Sequence, residues 1–352
     1  MQKSKFDACE KPQKHRNIPI FIPHLGCPNT CVFCNQRSIS GKQCFNREAV
    51  VDEIERALAT VESDCEVEIA YFGGSFTGID RDLMIYLLDV AKGYVDDRKE
   101  GRAHVSGVRM STRPDYINNE IIEILSHYPV KTVELGLQSM SDEVLRMSSR
   151  GHTSFDAENA CRLIKKAGYS LIGQMMIGLP GGNLENETMT AMKICDLGAD
   201  GARIYPTVTF FDTELAKMAE RGEYEMLSLE DAVYRSKEVL KIFRKRGVEC
   251  IRLGLCASDN LGDSSKVMGG ANHPALGELV EGELYFDTVC EMLDRVGESC
   301  QGKSAVLTVP RGHMSRAVGQ RGINRSRLLE KYKLLGVKIK EDHVSEINLA
   351  LE

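Results

Sequence analysis

The sequence predicts an α/β fold: a partial (β/α)6 barrel of the TIM type, followed by a small α+β module at the C-terminus. Two observations support this. Six apolar runs of strand length alternate with helical patterns up to residue 207, and the charge and glycine patterns change towards the C-terminus. Repeated strand–helix units favour a parallel sheet covered by helices. An open doubly wound sheet is the alternative, because periodicity alone does not exclude it.

The strand candidates of the barrel are short apolar runs. They are Ile18–Pro23, Val67–Phe72, Val105–Met110, Val130–Leu135, Leu171–Ile177 and Ala202–Thr207. Helical spacing of apolar residues separates them. These helix patterns lie near 47–62, 80–97, 117–126, 141–147, 155–167 and 186–197.

Beyond residue 208 the pattern predicts an extension of the barrel and then a separate module. The expected elements are helices at 211–221 and 229–246, a short strand at Cys250–Leu255, a loop over 257–282 and a helix near 283–296. Glycines 297 and 302 indicate a boundary. We therefore expect an N-terminal tail at 1–17, a main domain at 18–300 and a basic module at 303–352.

Composition limits the class of protein. The first 17 residues lack an apolar targeting segment, and no window is long and apolar enough to span a bilayer, so a cytoplasmic protein is expected. Nine of the twelve cysteines are scattered along the chain and are expected to be reduced thiols. The other three lie within eight residues of one another, which needs its own explanation.

These three cysteines follow the first strand candidate. Residues 26–36 read Gly-Cys-Pro-Asn-Thr-Cys-Val-Phe-Cys-Asn-Gln, which places Cys27, Cys31 and Cys34 in the spacing CxxxCxxC. Three thiolates in one loop require a metal or a cluster to balance their charge. Three cysteines on a four-iron cluster would leave one iron open. The alternative is structural zinc with a distant fourth ligand such as Cys44 or His24.

The triplet resembles the signature of the radical S-adenosylmethionine (SAM) superfamily, with Phe33 at its aromatic position. The resemblance implies a 4Fe–4S cluster on Cys27, Cys31 and Cys34. It implies that the amino and carboxylate groups of SAM chelate the open iron and that reductive cleavage yields a 5′-deoxyadenosyl radical. An electron donor such as flavodoxin or ferredoxin is therefore expected as a partner.

Further motifs follow the other strands, as expected for a site built at one end of a barrel. The glycine pair after the second strand matches the superfamily's glycine motif, and Arg150 is a candidate for binding the SAM carboxylate bidentately. Glu134 and Gln138 are candidates for the ribose or amino groups. The complete set of expected cofactor contacts is Phe33, Gly73, Gly74, Ser111, Glu134, Gln138, Arg150 and Met176.

The amino-acid sequences of these motifs are similar to those in the radical SAM domain of the Elongator catalytic subunit. The segments that carry this resemblance are Ser-Thr-Arg-Pro-Asp (111–115), Val-Glu-Leu-Gly-Leu-Gln-Ser (133–139), Arg-Gly-His-Thr (150–153), Gly-Leu-Pro-Gly (178–181) and Arg-Ile-Tyr-Pro-Thr (203–207). The resemblance implies tRNA as substrate and modification of its wobble uridine. Only about 50 residues follow Gly302, so the family's acetyltransferase domain is not expected in this chain.

The C-terminal segment is strongly basic in an otherwise acidic chain. The chain has a net charge of −6, whereas residues 303–340 contain ten Lys or Arg and a single acid, Glu330. Gly319-Gln320-Arg321-Gly322 lies between two expected helices, flanked by strands at Ala305–Val309 and Val337–Ile339. A GxxG loop in a strand–helix–helix–strand unit resembles a KH domain, whose loop clamps nucleic-acid phosphates. RNA is therefore the expected partner.

Three hypotheses stay open from the sequence. The first is a radical SAM enzyme that modifies tRNA or rRNA. The second is a radical SAM enzyme acting on a small molecule or protein, with the C-terminal segment as a structural lid. The third is a non-catalytic RNA-binding protein with a structural metal. Cys256, Tyr205 and His273 are considered for catalysis, each against a packing or capping role.

Overall fold

The computed structural model describes residues 14–23, 25–27, 31–35, 45–97, 101–255, 263 and 265–352. The chain forms two compact units. The first contains residues up to Gln174 together with Lys193–Gly201, and the second contains Met175–Met192 and Ala202–Glu352. Among the described helices, none combines the length and hydropathy needed to cross a membrane.

The strands agree with the expected positions to within a few residues up to β6. The strands are β1 (His15–Ile22), β2 (Glu66–Gly73), β3 (His104–Thr112), β4 (Val130–Gln138), β5 (Ser170–Ile177), β6 (Gly201–Pro206), β7 (Val208–Phe210), β8 (Glu249–Leu253), β9 (Val267–Gly270), β10 (Ser304–Pro310), β11 (Gly336–Asp342) and β12 (Asn348–Leu351). Seven of them form one sheet in the order β1-β2-β3-β4-β5-β6-β8. The expected α/β partial barrel is confirmed, and the short strand near residue 250 joins its sheet as a seventh strand.

The helices occupy the connections between these strands. They are α1 (Val50–Leu58), α2 (Arg81–Asp96), α3 (Asn119–Ser126), α4 (Asp142–Met147), α5 (Ser154–Lys166), α6 (Leu184–Asp196), α7 (Glu214–Glu220), α8 (Leu229–Lys245), α9 (Leu276–Val296), α10 (Met314–Val318) and α11 (Ile323–Tyr332). Polar caps begin several of them. Asn118 accepts from the amide of Ile121 at α3, and Thr153 forms a capping box with Asp156 at α5.

The first four strands run parallel, so their carboxyl ends meet at one edge. Alternate residues of β2, such as Ile69 and Tyr71, lie on the same face of the sheet. Ile69 and Tyr71 are fully buried, and the Tyr71 hydroxyl donates to the carbonyl of Leu87 in α2 at 2.6 Å. Ser111 on β3 is paired in register with Glu134 on β4. The motifs at these strand ends are therefore neighbours.

The expectation of a loop over residues 257–282 is wrong in part. Within the described part of this stretch, β9 pairs antiparallel with β7, and α9 begins at Leu276 instead of near residue 283. Ala275 at the cap position makes no side-chain hydrogen bond, so the helix begins without one of the usual N-cap residues. Backbone pairing forms β9 from a stretch with two glycines, which are poor strand formers.

The C-terminal segment folds as β10–α10–α11–β11–β12. Strand β10 pairs in parallel with β11 and antiparallel with β12, and β12 was not expected from the sequence. This small sheet shares a hydrophobic core with α9, to which that helix contributes Phe286, Val289 and Leu293. The basic segment is therefore packed against the preceding helix along one face.

Candidate active site

The cysteine loop is tied to a segment more than a hundred residues further along the chain. Cys31 is buried, and Cys27 and Cys34 are half-buried. The amide of Cys34 donates to the carbonyl of Cys31 at 3.0 Å, which closes a tight turn between the two thiols. The amide of Val32 donates to the carbonyl of Ser148 at 3.2 Å. The loop after α4 thus holds the centre of the triplet in place.

The glycine pair after β2 lies against the start of the same cysteine loop. The amide of Gly74 donates to the carbonyl of Ile22 at 2.7 Å. A Cβ atom at Gly74 would lie 2.0 Å from the carbonyl oxygen of Leu25, and one at Gly73 would lie 2.8 Å from that of Ile22. Gly73 also has a positive φ of 112°. These glycines are therefore required for the close approach of the two backbones.

Two buried arginines lie beside the triplet. The Nη1 of Arg150 donates to the Sγ of Cys31 at 3.3 Å, and its Nη2 donates to the carbonyl of Gly136 at 2.7 Å. Arg113 is fully buried and donates through Nε and Nη2 to both carboxylate oxygens of Asp115, at 2.9 and 2.8 Å. The sequence motifs contain Arg113 and Asp115, but no feature of the sequence shows that they pair.

The zinc alternative needs a fourth ligand in addition to the three thiols of the triplet. His24 and Cys44, considered as a fourth ligand, lie outside the described residues.

Electrostatics around the triplet favour an anionic group. Burial raises the pKa of the Cys27 thiol, whereas Arg150 and Arg113 act in the opposite direction. Loading of a metal group requires thiolates, so the nearby cations compensate for part of the cost of burying their charge. The described cysteines are all free thiols. The donor set and its surroundings thus fit a cluster held by Cys27, Cys31 and Cys34.

Glu134 and Gln138, the two candidates on β4, differ in whether their side chains already have partners. Glu134 is already paired with Arg109, whose Nη1 lies 3.0 Å from its carboxylate, and Arg109 also binds Glu68. Gln138, in contrast, is buried with a φ of 66°, and its Oε1 has no hydrogen-bond partner among the described residues. A buried unpaired acceptor on a strained residue is typical of a ligand contact. Gln138 therefore retains the capacity to accept a hydrogen bond from a bound molecule.

The remaining single-residue candidates fall in different places. Phe33 and Ser111 are half-buried in the first unit, and Met176 is half-buried on β5 in the second. Tyr205 on β6 accepts a hydrogen bond from Nη1 of Arg203 at 3.4 Å. His273 accepts the amide of Ala275 at 3.1 Å, which is the capping role considered for it. Cys256 lies outside the described residues.

His152 is a buried residue whose role the sequence did not reveal. Its Nε2 lies 3.3 Å from the carbonyl of Leu137, and its Nδ1 lies 3.9 Å from the carboxylate of Asp115. Burial, together with the charge of Arg150, lowers the pKa of His152 to about 4. The ring is therefore neutral at physiological pH and belongs to the same buried network as the two arginines.

The GxxG loop lies between α10 and α11, as expected. Gly319, Arg321 and Gly322 all have positive φ angles, of 73°, 55° and 79°. The buried Asn324 holds the loop by donating to the carbonyls of Gly282 at 2.8 Å and Ala317 at 3.3 Å. A cavity of about 590 Å³ is lined by this loop together with residues of α9, α10 and β11. The loop is thus a supported, open turn beside a groove.

Most basic side chains around this loop have no acidic partner. Of the ten Lys and Arg at 303–340, all of which the structure describes, only Arg327 forms a salt bridge, to Glu283 of α9. Arg327 also stacks on Phe286, with its guanidinium carbon 3.7 Å from the ring centroid. Arg321 and Arg325 are exposed. The positive charge of the segment is therefore available to an external anion.

Comparison with known families agrees with the cysteine site. The model of the radical SAM superfamily matches residues 21–192, and the model of the radical SAM C-terminal domain matches residues 199–296. The chain belongs to the radical SAM superfamily and is an enzyme of this class. Enzymes of this class use a 4Fe–4S cluster and SAM, and when bound the pair supplies radical chemistry through reductive cleavage of SAM.

The relatives point to one branch of the superfamily. A tRNA uridine(34) acetyltransferase of Methanocaldococcus infernus is 30% identical over 174 residues, covering 49% of this chain and 32% of that protein. Elongator complex protein 3 of Saccharomyces cerevisiae is 26% identical over 246 residues, covering 60% and 44%. An uncharacterized protein of Methanocaldococcus jannaschii is 29% identical over 227 residues, covering 61% and 68%. The chain thus spans about a third to a half of the length of the first two relatives.

A solved structure shows the same fold. Elp3 of Methanocaldococcus infernus, with an N-terminal deletion, aligns with a TM-score of 0.59 at 20% identity, over 86% of this chain and 67% of that chain. This agreement supports the partial barrel that the strand pattern predicts.

Proposed function

We propose that this radical SAM enzyme modifies RNA, with tRNA as the first substrate class to test, and that residues 303–352 form a KH-like module that binds it. The observation that supports this most directly is the GxxG loop held by Asn324. Most of the basic side chains in this segment form no salt bridge with the described residues. Such charges bind phosphates by releasing counterions. The names of the tRNA-acting relatives agree with this choice.

In this proposal the strand-end residues bind SAM beside the cluster. Gln138 offers its unpaired Oε1 as an acceptor for the amino group or the ribose of SAM. The other candidates for SAM contacts in this proposal are Phe33, Gly73, Gly74, Ser111, Glu134 and Arg150 of the first unit. Met176 on β5 is a separate candidate. A one-electron protein donor such as flavodoxin or ferredoxin supplies the reducing electron.

RNA binding is tested by a charge placed in the loop. Gly322→Asp adds a negative charge at a position where a Cβ meets nothing within 4 Å, and Asp tolerates a positive φ better than most residues. Gly302→Asp is the matched control, since Gly302 also has a positive φ and open space around it. We expect Gly322→Asp to weaken binding of total tRNA at least tenfold in gel-shift assays at low salt, with little change for Gly302→Asp.

The reaction itself is tested on cellular RNA. Nucleosides from the tRNA and rRNA of cells with and without the gene are compared by mass spectrometry. One modified nucleoside should be absent from the cells that lack the gene. It should reappear with the wild-type chain but not with Cys31→Ala. Identical nucleoside profiles, or RNA binding equal in both aspartate variants, would count against RNA as substrate and favour a small molecule or protein instead.

A further inference from the structure

The contact between Arg150 and Cys31 joins a buried cation to an expected cluster ligand. Arg150 is only 7% exposed, and its guanidinium is oriented by two donated hydrogen bonds, to the sulfur of Cys31 and the carbonyl of Gly136. Its Nε has no hydrogen-bond partner among the described residues. The side chain thus already uses one of its terminal nitrogens on a cysteine sulfur, beyond the SAM carboxylate role that the sequence suggested.

A second arginine supports the first. The Nη2 of Arg113 donates to the main-chain carbonyl of Arg150 at 2.7 Å and also to Asp115, and the whole Arg113 side chain is fully buried. Asp115 balances the charge of Arg113, whereas no acidic residue forms a salt bridge with Arg150 among the described residues. The net positive charge closest to Cys31 is therefore carried by Arg150, and Arg113 fixes the backbone from which it projects.

We propose that Arg150 sets the reduction potential of the cluster through its hydrogen bond to Cys31, and that Arg113 with Asp115 is its positioning support. A cluster with thiolate ligands gains one negative charge when it accepts an electron. Donors to its sulfurs and nearby cations stabilise the reduced state, and thus raise the potential. The electron comes from a one-electron protein donor, and no bond at either arginine changes. The inference requires Cys31 to be a cluster ligand, but it does not depend on RNA as substrate.

The test is a redox titration of the reconstituted enzyme without SAM, in which electron paramagnetic resonance measures the reduced cluster at each potential. Arg150→Gln is expected to lower the ratio of reduced to oxidised cluster at least tenfold at a given potential, a shift of about 59 mV for one electron. Arg150→Lys retains the charge and should shift the ratio less. Arg113→Lys, which alters the geometry while keeping the charge, should shift it in the same direction by a smaller factor.

Arg102→Gln is the matched control. Arg102 is a partly buried arginine paired with Glu55, but it precedes β3, whereas Arg113 follows the same strand. Nine strand residues, roughly 30 Å, separate the two ends. An unchanged potential in Arg150→Gln, or an equal shift in Arg102→Gln, would overturn the proposal.

Two further measurements keep the test decisive. Iron content and thermal unfolding show whether each variant is loaded and folded. If Arg150→Gln does not take up the cluster, the potential of Arg150→Lys decides, and a wild-type value there refutes the proposal. Binding of SAM is measured separately. If a variant of Arg150 binds SAM more weakly but the cluster keeps its potential, Arg150 acts only at the SAM carboxylate and the proposal is refuted.

Discussion

The cysteine loop and the GxxG segment contrast in where their positive charges lie. Beside Cys31, the guanidinium groups of Arg113 and Arg150 are buried, and each donates to defined acceptors. Around the GxxG loop, Arg321 and Arg325 are exposed and form no salt bridge with any residue that the structure describes. Buried, oriented charges suit a group that stays bound, whereas exposed charges suit a large polyanion that binds and dissociates. Single substitutions should therefore have large effects in the first region and small, additive effects in the second.

The largest effect is expected at Gly74. An alanine Cβ would lie 2.0 Å from the carbonyl oxygen of Leu25, so Gly74→Ala must displace the start of the cysteine loop. We expect the variant to lose most of the iron that wild-type protein takes up on anaerobic reconstitution, measured by iron analysis and by absorbance. Gly93→Ala in α2 is the control, because a Cβ there meets nothing within 4 Å. Full iron uptake by Gly74→Ala would contradict the close packing described for this glycine.

The next largest effect concerns acid stability. His152 has a folded-state pKa of about 4 and an unfolded pKa near 6.5, so the unfolded state binds more protons between these values. The stabilisation is fully present above pH 6.5 and is lost as the pH falls towards 4. It should decline by about 2 kcal/mol between pH 7 and pH 5, and by about 3 kcal/mol in total.

Chemical denaturation of His152→Gln across this pH range checks that value. Glutamine retains a donor for the carbonyl of Leu137 but does not titrate, so the variant should lose this part of the pH dependence. A wild-type slope in the variant would assign the acid sensitivity to other groups.

A smaller effect is expected at the support of the GxxG loop. Asn324→Ala removes the buried amide that donates to the carbonyls of Gly282 and Ala317, which should lower the free energy of unfolding by about 2 kcal/mol. Urea unfolding measures this, with the exposed Asn348→Ala as control. RNA binding should weaken in parallel, because the loop loses its anchor to α9. Unchanged stability would show that the loop holds its conformation without Asn324.

The smallest effect is expected from single lysines on β11. Lys338 and Lys340 are exposed on alternate positions of that strand and form no salt bridge among the described residues. If each contacts one phosphate, replacing either with glutamine should reduce the salt dependence of RNA binding by about one unit in the log–log slope. Lys217→Gln in α7 is the control. A slope that no lysine variant changes would place the RNA on another surface.

The sequence predicted the elements that repeat, and it missed those that depend on contacts between distant residues. Apolar strands at regular intervals were sufficient to predict the parallel sheet. The cysteine spacing predicted the class of enzyme together with the motifs at the strand ends. Strand β9 was missed because its pairing with β7 forms through the backbone of a glycine-containing segment. The network of Arg113, Asp115 and Arg150 was missed for a related reason: hydrogen bonds between residues far apart in the chain leave no periodic pattern.

The hydrogen bond between Arg150 and Cys31 also bears on how the enzyme matures in the cell. These residues are 119 positions apart, and Ser148, which holds Val32, is nearly as distant. At about 5–20 residues per second, the ribosome needs roughly 6–24 s to add this stretch after Cys31 has been made. During that interval the thiols lack the partners that shape their loop. Cluster insertion is thus expected to follow completion of the first four strands, and the nascent thiols depend on a reducing environment until then.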